Sequence, residues 1–357
     1  MTTTNHVRNA WYVAAWSDAV EAGQPQAANV LGEPIVLWRT DAGKLVAFED
    51  RCAHRLAPLS FGRCEGAKLR CMYHGMLFDE TGRCVEIPGQ DLIPPQAKVR
   101  AYPAVERHAW CWVWMGDPAL ADEALIPDVW PLDPESGWLL GTGILDYQAE
   151  ARLICDNLID LSHLSYVHPA TFGTTEAWAT RAPKITALPR GVRYELWLED
   201  QPNMAGGGGG RIDPWTTYDM LVPGVFLLRN TIYPLGTAAA CGYKPPTPQY
   251  KPIFDAFSCQ AATPTGEATA RYFYSWGPHS SVGDKNVRDY LMGVARQAFA
   301  EDQRMIEGQQ RVLNATPSPR IMPTTADRPV VLYNQIVARL ARAEQAGAEP
   351  SGGEAAA

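Results

Sequence analysis

The chain is short of positive charge: 31 Lys and Arg stand against 39 Asp and Glu, a formal net charge of −8. So acidic a balance supplies no broad basic field, which disfavours nucleic acid and anionic lipid as partners. Long hydrophobic runs are missing as well. No window approaches the ~20 uninterrupted apolar residues of a membrane helix. The opening MTTTNHVRNAWYVAAW lacks the charged start and long apolar stretch of a secretory signal, so the expected location is cytoplasmic. There is no internal repeat, and low complexity is confined to AGGGGG at 205–210. That run has no following Lys-Ser/Thr pair and no helix start, which excludes a phosphate loop and leaves a flexible surface or lid loop. Neither a flavin or nicotinamide fingerprint nor a C-x4-C-x2-C ferredoxin motif occurs. Histidine is scarce, with seven in 357 residues.

What is present suffices for two domains. Hydrophobic residues make up 46% and charged residues 20%, ordinary values for a globular protein with a substantial core. The first third alternates β-rich runs with turns. PIVLWRT (34–40) and KLVAFED (44–50) flank a hairpin turn, LRCMYHGMLF (69–78) precedes DETGR and CVEIP, and HAWCWVWMGD (108–117) stops at Gly-Asp-Pro. A proline-rich link with Pro118, Pro127, Pro131 and Pro134 places a domain boundary near residue 138. Beyond it, strands are expected at 192–198, 218–233 and 268–277, and helices over 289–311 and 330–344. The expected domains are 1–138 and 139–345, with a disordered tail at 346–357. The class is α+β.

Eight cysteines in an intracellular chain read as thiols or metal ligands rather than disulfides. Cys64, Cys84, Cys111, Cys155, Cys241 and Cys259 lack ligand-like neighbours at short range and read as small buried hydrophobes. Cys52 and Cys71 differ. With His54 and His74 they form C-x-H-x16-C-x2-H, two tight pairs that each offer one thiolate and one imidazole. Zinc could take such a Cys2His2 set, but zinc fingers keep like ligands together. Mixed pairs suit a Rieske [2Fe–2S] cluster, in which two cysteines hold one iron and two histidines the other.

A second constellation lies in DNLIDLSHLSYVHPA (156–170), a helix-like stretch interrupted by two aspartates and two histidines. On a helix Asp160 and His163 share a face. His168, five residues after His163, would be rotated by about 140° on an unbroken helix. Pro169 drives the residue before it out of the α region, so the helix is expected to end before His168 and let it turn back toward His163. Two imidazoles at one point are one carboxylate short of the facial triad of non-haem Fe(II) oxygenases. The missing acid is sought in DYLMGVARQAFAEDQRMIEGQQ, whose apolar stripe runs through Leu291, Val294, Ala298 and Met305. Glu301 and Asp302 both fall near its edge, and the helical wheel barely separates them. His6, His108 and His279 have no assigned role.

A Rieske motif followed by N-x2-D-x2-H-x4-H and a late helical Asp resembles the Rieske non-haem iron oxygenases. Within them it is similar to the branch of vanillate and dicamba O-demethylases and toluenesulfonate methyl-monooxygenase. The resemblance implies a β-rich Rieske domain, a helix-grip catalytic domain of antiparallel sheet with helices, and a head-to-tail homotrimer. It selects Asp302, beside His163 and His168, as ligand of a mononuclear Fe(II). It makes Asp160 a carboxylate bridging His74 of one protomer and His163 of the next, and places Asn157 near the iron. Asp156 is left between a solvated helix residue and a second interfacial acid. The implied reaction uses O2 to demethylate an aryl methyl ether of a small aromatic acid, a phenol and formaldehyde being the products. Hydroxylation of a benzylic methyl group or an aromatic ring is the alternative. Electrons would come from a separate NAD(P)H-dependent flavin/iron–sulfur reductase. A Rieske electron carrier and a zinc-stabilised binding protein stand as readings of another class. Arg229, Asn230 and Arg271 are candidate anchors for an acid, and Trp215, Phe226, Tyr274 and Trp276 candidate pocket aromatics that core packing explains equally well.

Overall fold

The computed structural model describes residues 6–172, 174–203 and 210–348. Residues 205–209 of the glycine run and the tail from 349 onward lie outside the described residues, and so do the expectations placed on them. The chain divides into two units, Arg8–Asp128 with Thr263–Glu267, and the remainder.

In the N-terminal unit Trp110–Trp114 (WCWVW) pairs with Trp11–Trp16 on one side and Ala104–Arg107 on the other. All five of its residues are buried, as expected for an apolar run without polar alternation. A second sheet joins Gln26–Val30, Glu33–Arg39, Leu45–Glu49 and Ala101–Tyr102. Its central hairpin turns at Thr40–Lys44, where Gly43 takes a φ of +80° and donates its N–H to the Thr40 carbonyl at 2.8 Å. The third sheet contains Arg63–Glu65, Lys68–Arg70, Leu77–Asp79 and Cys84–Glu86. The run 69–78 is therefore not one strand but two short ones, with residues 71–76 looped out between them. Trp38, Phe48, Leu59, Leu69, Met76 and Phe78 form a shared core around Cys52 and Cys71.

The second unit is built on a sheet whose main path is β1 (Gly141–Tyr147), β7 (Thr269–Pro278), β6 (Phe254–Gly266), β5 (Val225–Pro234), β4 (Arg211–Leu221), β3 (Gly191–Trp197) and β2 (Lys184–Leu188). Gln201–Pro202 pairs additionally with β4. Between β1 and β2 come α1 (Ala151–Ile159) and α2 (Leu164–Val167), and after β7 the long α3 (Lys285–Ala315) and α4 (Arg328–Ala348). α3 packs against β7 and β1. It starts at Asp284, whose carboxylate accepts the N–H groups of Asn286 and Val287, and it stops ahead of Pro317.

The buried stripe of α3 runs through Leu291, Ala295, Ala298, Asp302, Ile306 and Gln310. This corrects the sequence reading, since Val294 is only half-buried and Met305 is exposed. The shift moves Asp302 from the margin of the stripe to its centre.

Candidate metal centres

The first centre grows from two loops with the same backbone plan. Cys52 donates its N–H to the Ala57 carbonyl and accepts from the Leu56 N–H, at 2.8 and 3.0 Å. Cys71 repeats this with Met76 and Gly75, at the same two distances. The fifth residue of each loop is left-handed, Leu56 at φ +57° and Gly75 at φ +82°. Both cysteines are buried, whereas His54 and His74 are exposed, their ring centroids 4.6 Å apart. Two thiols thus face inward and two imidazoles outward, the donor arrangement that a cluster with one Cys-bound and one His-bound iron requires. Burial pushes the Cys52 thiol up to about 11, with the neighbouring Cys71 adding to it and the His54 N–H opposing it. Without a cation the Cys52 thiol holds its proton; with iron, both cysteines would serve as thiolate ligands. Arg70 braces the second loop, donating to the Gly75 carbonyl at 2.8 Å while pairing with Glu65 and Glu86.

The second centre depends on two breaks in the chain. α1 ends at Ile159, and Asp160 adopts an extended conformation (φ −93°, ψ 90°). Asp160 then caps the following turn, its carboxylate accepting the Ser162 N–H at 2.9 Å. Asp160 and His163 therefore do not share one continuous helix, contrary to the sequence reading. The backbone carbonyl of Asp160, not its carboxylate, accepts the Nδ1–H of His163. The second break falls where Pro169 places it: α2 stops at Val167, and His168 leaves the helix at φ −119°, ψ 36°.

These turns bring His163, His168 and Asp302 together, with one donor atom of each within 4.8 Å of the others. Asp302 Oδ1 lies 3.0 Å from His168 Nε2, 3.6 Å from His163 Nε2 and 3.1 Å from the Asn157 amide nitrogen. The carboxylate of Glu301 meets the other nitrogen of His168, Nδ1, at 2.7 Å. A carbonyl can only accept, so Nδ1 of His163 carries its proton; His168 meets a carboxylate at each nitrogen, and with a cation at Nε2 its proton stays on Nδ1, toward Glu301. Each neutral ring then points an Nε2 lone pair at a carboxylate oxygen. Acceptors facing acceptors need a proton or a cation between them. Burial works to lower the His168 pKa, but Asp302 and Glu301 outweigh it and raise it. The donor set fits a divalent iron: two imidazoles, one carboxylate and room for further ligands.

The room is a cavity of about 330 Å³ on which all three donors and Asn157 open. Its walls are mostly apolar, including Leu158, Phe172, Phe226, Ile232, Trp276 and Phe299. No Lys or Arg lines it among the described residues. Of the candidate anchors only Asn230 reaches it, its side-chain oxygen accepting from the Thr216 hydroxyl at 2.8 Å. Arg229 is paired with Asp255 and Arg271 with Asp146 instead. Phe226 and Trp276 line the cavity; Trp215 packs with Trp197 and Tyr233, and Tyr274 against Phe299. Asp156, read from the sequence as a solvated helix residue or a second interfacial acid, is half-buried and tied within the chain, accepting from Arg152 at 3.0 Å and from Asn334 of α4 at 2.9 Å. The sequence reading weighed Glu301 as a rival ligand or a solvated acid at the stripe margin and missed its hold on His168. The adjacent Glu-Asp pair carried the signal, because neighbours on a helix diverge by about 100° and can reach opposite sides of one ring.

Comparison with known proteins agrees with both centres. The Rieske [2Fe-2S] domain family matches residues 10–103, and the vanillate O-demethylase oxygenase C-terminal domain matches residues 147–343. The chain is 37% identical to the toluene-4-sulfonate monooxygenase system iron-sulfur subunit of Comamonas testosteroni, over 96% of this chain and 99% of the relative. It is 30% identical to a vanillate O-demethylase oxygenase subunit of a Pseudomonas species, over 96% and 97%. It superposes on crystalline dicamba monooxygenase bound to 3,6-dichlorosalicylic acid with a TM-score of 0.85, at 29% identity over 95% of this chain and 99% of that one. The same protein has been solved with non-haem iron and dicamba, at a TM-score of 0.80 and 27% identity over 96% of this chain and 100% of that one. A catalytic domain beside the Rieske domain excludes a stand-alone electron carrier, and the Rieske match excludes structural zinc. The chain belongs to the vanillate O-demethylase family of Rieske non-haem iron oxygenases and is the oxygenase component of a monooxygenase system.

Proposed function

We propose that this oxygenase removes a methyl group from the ether oxygen of a small aromatic compound, with hydroxylation of a benzylic methyl group or an aromatic ring as the alternative outcome of the same site. The observation that carries the reading is the opening of His163, His168 and Asp302 directly onto a largely apolar cavity of about 330 Å³, a size suited to a single substituted ring. When bound, the [2Fe–2S] cluster supplies single electrons, and the Fe(II) supplies O2 activation with delivery of one oxygen atom to the substrate. Cys52, His54, Cys71 and His74 would hold the cluster, and His163, His168 and Asp302 the iron.

The chain's own residues orient the substrate and keep the site dry. Phe172, Phe226 and Trp276 present flat apolar surface to a ring. Asn230, its oxygen engaged by Thr216, turns its amide N–H groups to an acceptor such as a carboxylate, sulfonate or phenolic oxygen. The amide of Asn157 holds Asp302 in place. Relatives that demethylate vanillate and dicamba, or oxidise toluene-4-sulfonate, support an aromatic acid as the substrate class.

The unit through residue 138 is taken as the Rieske domain and 139–345 as the catalytic one. A cytoplasmic homotrimer is proposed, in which the exposed His74 of one protomer reaches Asp160 of the next, with a separate NAD(P)H-dependent reductase as electron donor. The test is a screen of methoxylated and methylated benzoates and benzenesulfonates with a surrogate reductase, reading formaldehyde and hydroxylated product separately. Formaldehyde formed one-for-one with a phenol is expected. Hydroxylation without formaldehyde from any aryl ether overturns demethylation in favour of the alternative.

A further inference from the structure

Glu301 lies beside Asp302 on α3, on the margin of the helix's buried face, where an acid would ordinarily be a solvated surface residue. Its carboxylate is instead fully engaged. One oxygen takes Nδ1 of His168 at 2.7 Å. The other accepts the Thr171 hydroxyl at 2.7 Å and the Gln297 amide at 3.2 Å. Gln297, one helical turn earlier, also donates to Thr171 at 3.0 Å, closing a small ring of hydrogen bonds. The partners flank one short segment, 168–172, which begins at a metal donor and ends at Phe172 on the cavity wall. The Phe172 ring lies 5.1 Å from that of His168 and 6.0 Å from Trp276.

Two functions follow from this geometry. An acceptor at Nδ1 keeps the proton there, so Nε2 is free to coordinate. A carboxylate with both oxygens engaged also fixes the plane of the imidazole, because the ring cannot turn without breaking the 2.7 Å bond. His163 gets the same service from the Asp160 carbonyl, a neutral backbone group. The two rings are thus held by different kinds of acceptor, and only the one on His168 can be removed by a side-chain substitution.

We propose that Glu301 is a positioning residue of the mononuclear iron site, setting the tautomer and orientation of His168 and tying that ligand to the cavity wall through Thr171. The assignment rests on the reading of His163, His168 and Asp302 as iron donors. It assigns Glu301 no direct bond to iron.

The test is ferrous iron affinity, measured by chelator competition on the full-length, cluster-loaded protein stripped of its mononuclear iron. Loss of a group that orients a metal-bound imidazole typically weakens affinity by about 10–100-fold. Glu301→Ala is expected to fall in that range while its Rieske absorption and far-UV circular dichroism match the wild type. Glu301→Gln keeps an oxygen that can accept from Nδ1 and is expected to bind iron within about threefold of the wild type. An alanine variant as tight as the wild type overturns the proposal. A glutamine variant weakened beyond about tenfold overturns it too, and independently of whether the alanine variant folds. Wild-type protein that takes up no iron sinks the underlying metal site instead, a separate outcome.

Discussion

Gly75 and Leu56 occupy equivalent places in the two cluster loops, yet only one of them is glycine. Both are left-handed, a conformation that costs a residue with a Cβ about 1–2 kcal/mol. Leu56 is tolerated because its side chain stands out in solvent, 63% exposed. A Cβ on Gly75 would lie 2.7 Å from Pro88 Cγ, so strain and collision would add. Gly75→Ala is therefore expected to lower stability by at least about 1 kcal/mol and to speed loss of the Rieske absorption on heating. Leu56→Ala, which adds no new backbone demand, should do neither. Equal cluster lifetimes in Gly75→Ala and the wild type would contradict this account. The spacing C-x2-H-G made the glycine visible in the sequence, but its physical necessity depends on Pro88, which no local pattern connects to it.

At the level of elements, α1 is held by a residue whose role the sequence left open. Asp156 links Arg152 on its own helix to Asn334 on α4. Burial raises its pKa, only partly opposed by Asn334 and Arg152. The folded chain therefore holds a proton there more tightly than the unfolded chain, whose value is about 3.9. Between those two values the native state binds more protons, so stability falls as pH rises through the window and stays lower above it. Asp156→Asn cannot titrate. Its melting temperature should gain on the wild type as pH rises above about 4, the unfolded carboxyl's value, and through the raised value of the folded one. A variant that instead loses ground as pH rises would show that the two partners dominate. The register of α3 belongs to the same scale. A wheel drawn from the sequence took the stripe through Leu291, Val294, Ala298 and Met305, whereas packing against β7 keeps Leu291 and Ala298 and replaces the other two with Ala295 and Asp302. Apolarity alone could not find a stripe that contains a buried carboxylate and a buried amide.

For the molecule as a whole, the proposed trimer is testable through Asp160. Its carbonyl already serves His163 and one carboxylate oxygen caps Ser162, so the carboxylate itself is not needed to orient the iron ligand within the protomer. A bridge to His74 of a neighbour accounts for an acid at this position where a serine or asparagine could cap equally well. Asp160→Asn should preserve the cap, the Rieske spectrum and iron binding, yet lower the rate of product formation about 10–100-fold, the usual loss when a partner of a metal-bound histidine is removed. Single-turnover measurements on pre-reduced enzyme, with and without the substitution, locate the defect. Product formed at the wild-type rate would remove the bridge.

The two metal centres were legible in the sequence, because metal donors are few, chemically distinct and closely spaced within each loop, and the reaction class followed from the family that those motifs resemble. C-x-H and C-x2-H announce a mixed cluster, and proline after His168 announces a broken helix wherever the chain goes next. Asp302 could be chosen over Glu301 only by resemblance, since the wheel treats helical neighbours on one margin almost alike. Tertiary structure separated them by placing one carboxylate at each nitrogen of the same imidazole. It likewise turned Arg229 and Arg271 away from the cavity and left Asn230 facing it, although all three lie on strands of one sheet. Which side of a pleat faces a cavity, and which acid meets which ring, are decided by contacts between separate segments, 26 residues apart for Arg229 and Asp255 and 133 for His168 and Glu301, and no local pattern carries that information.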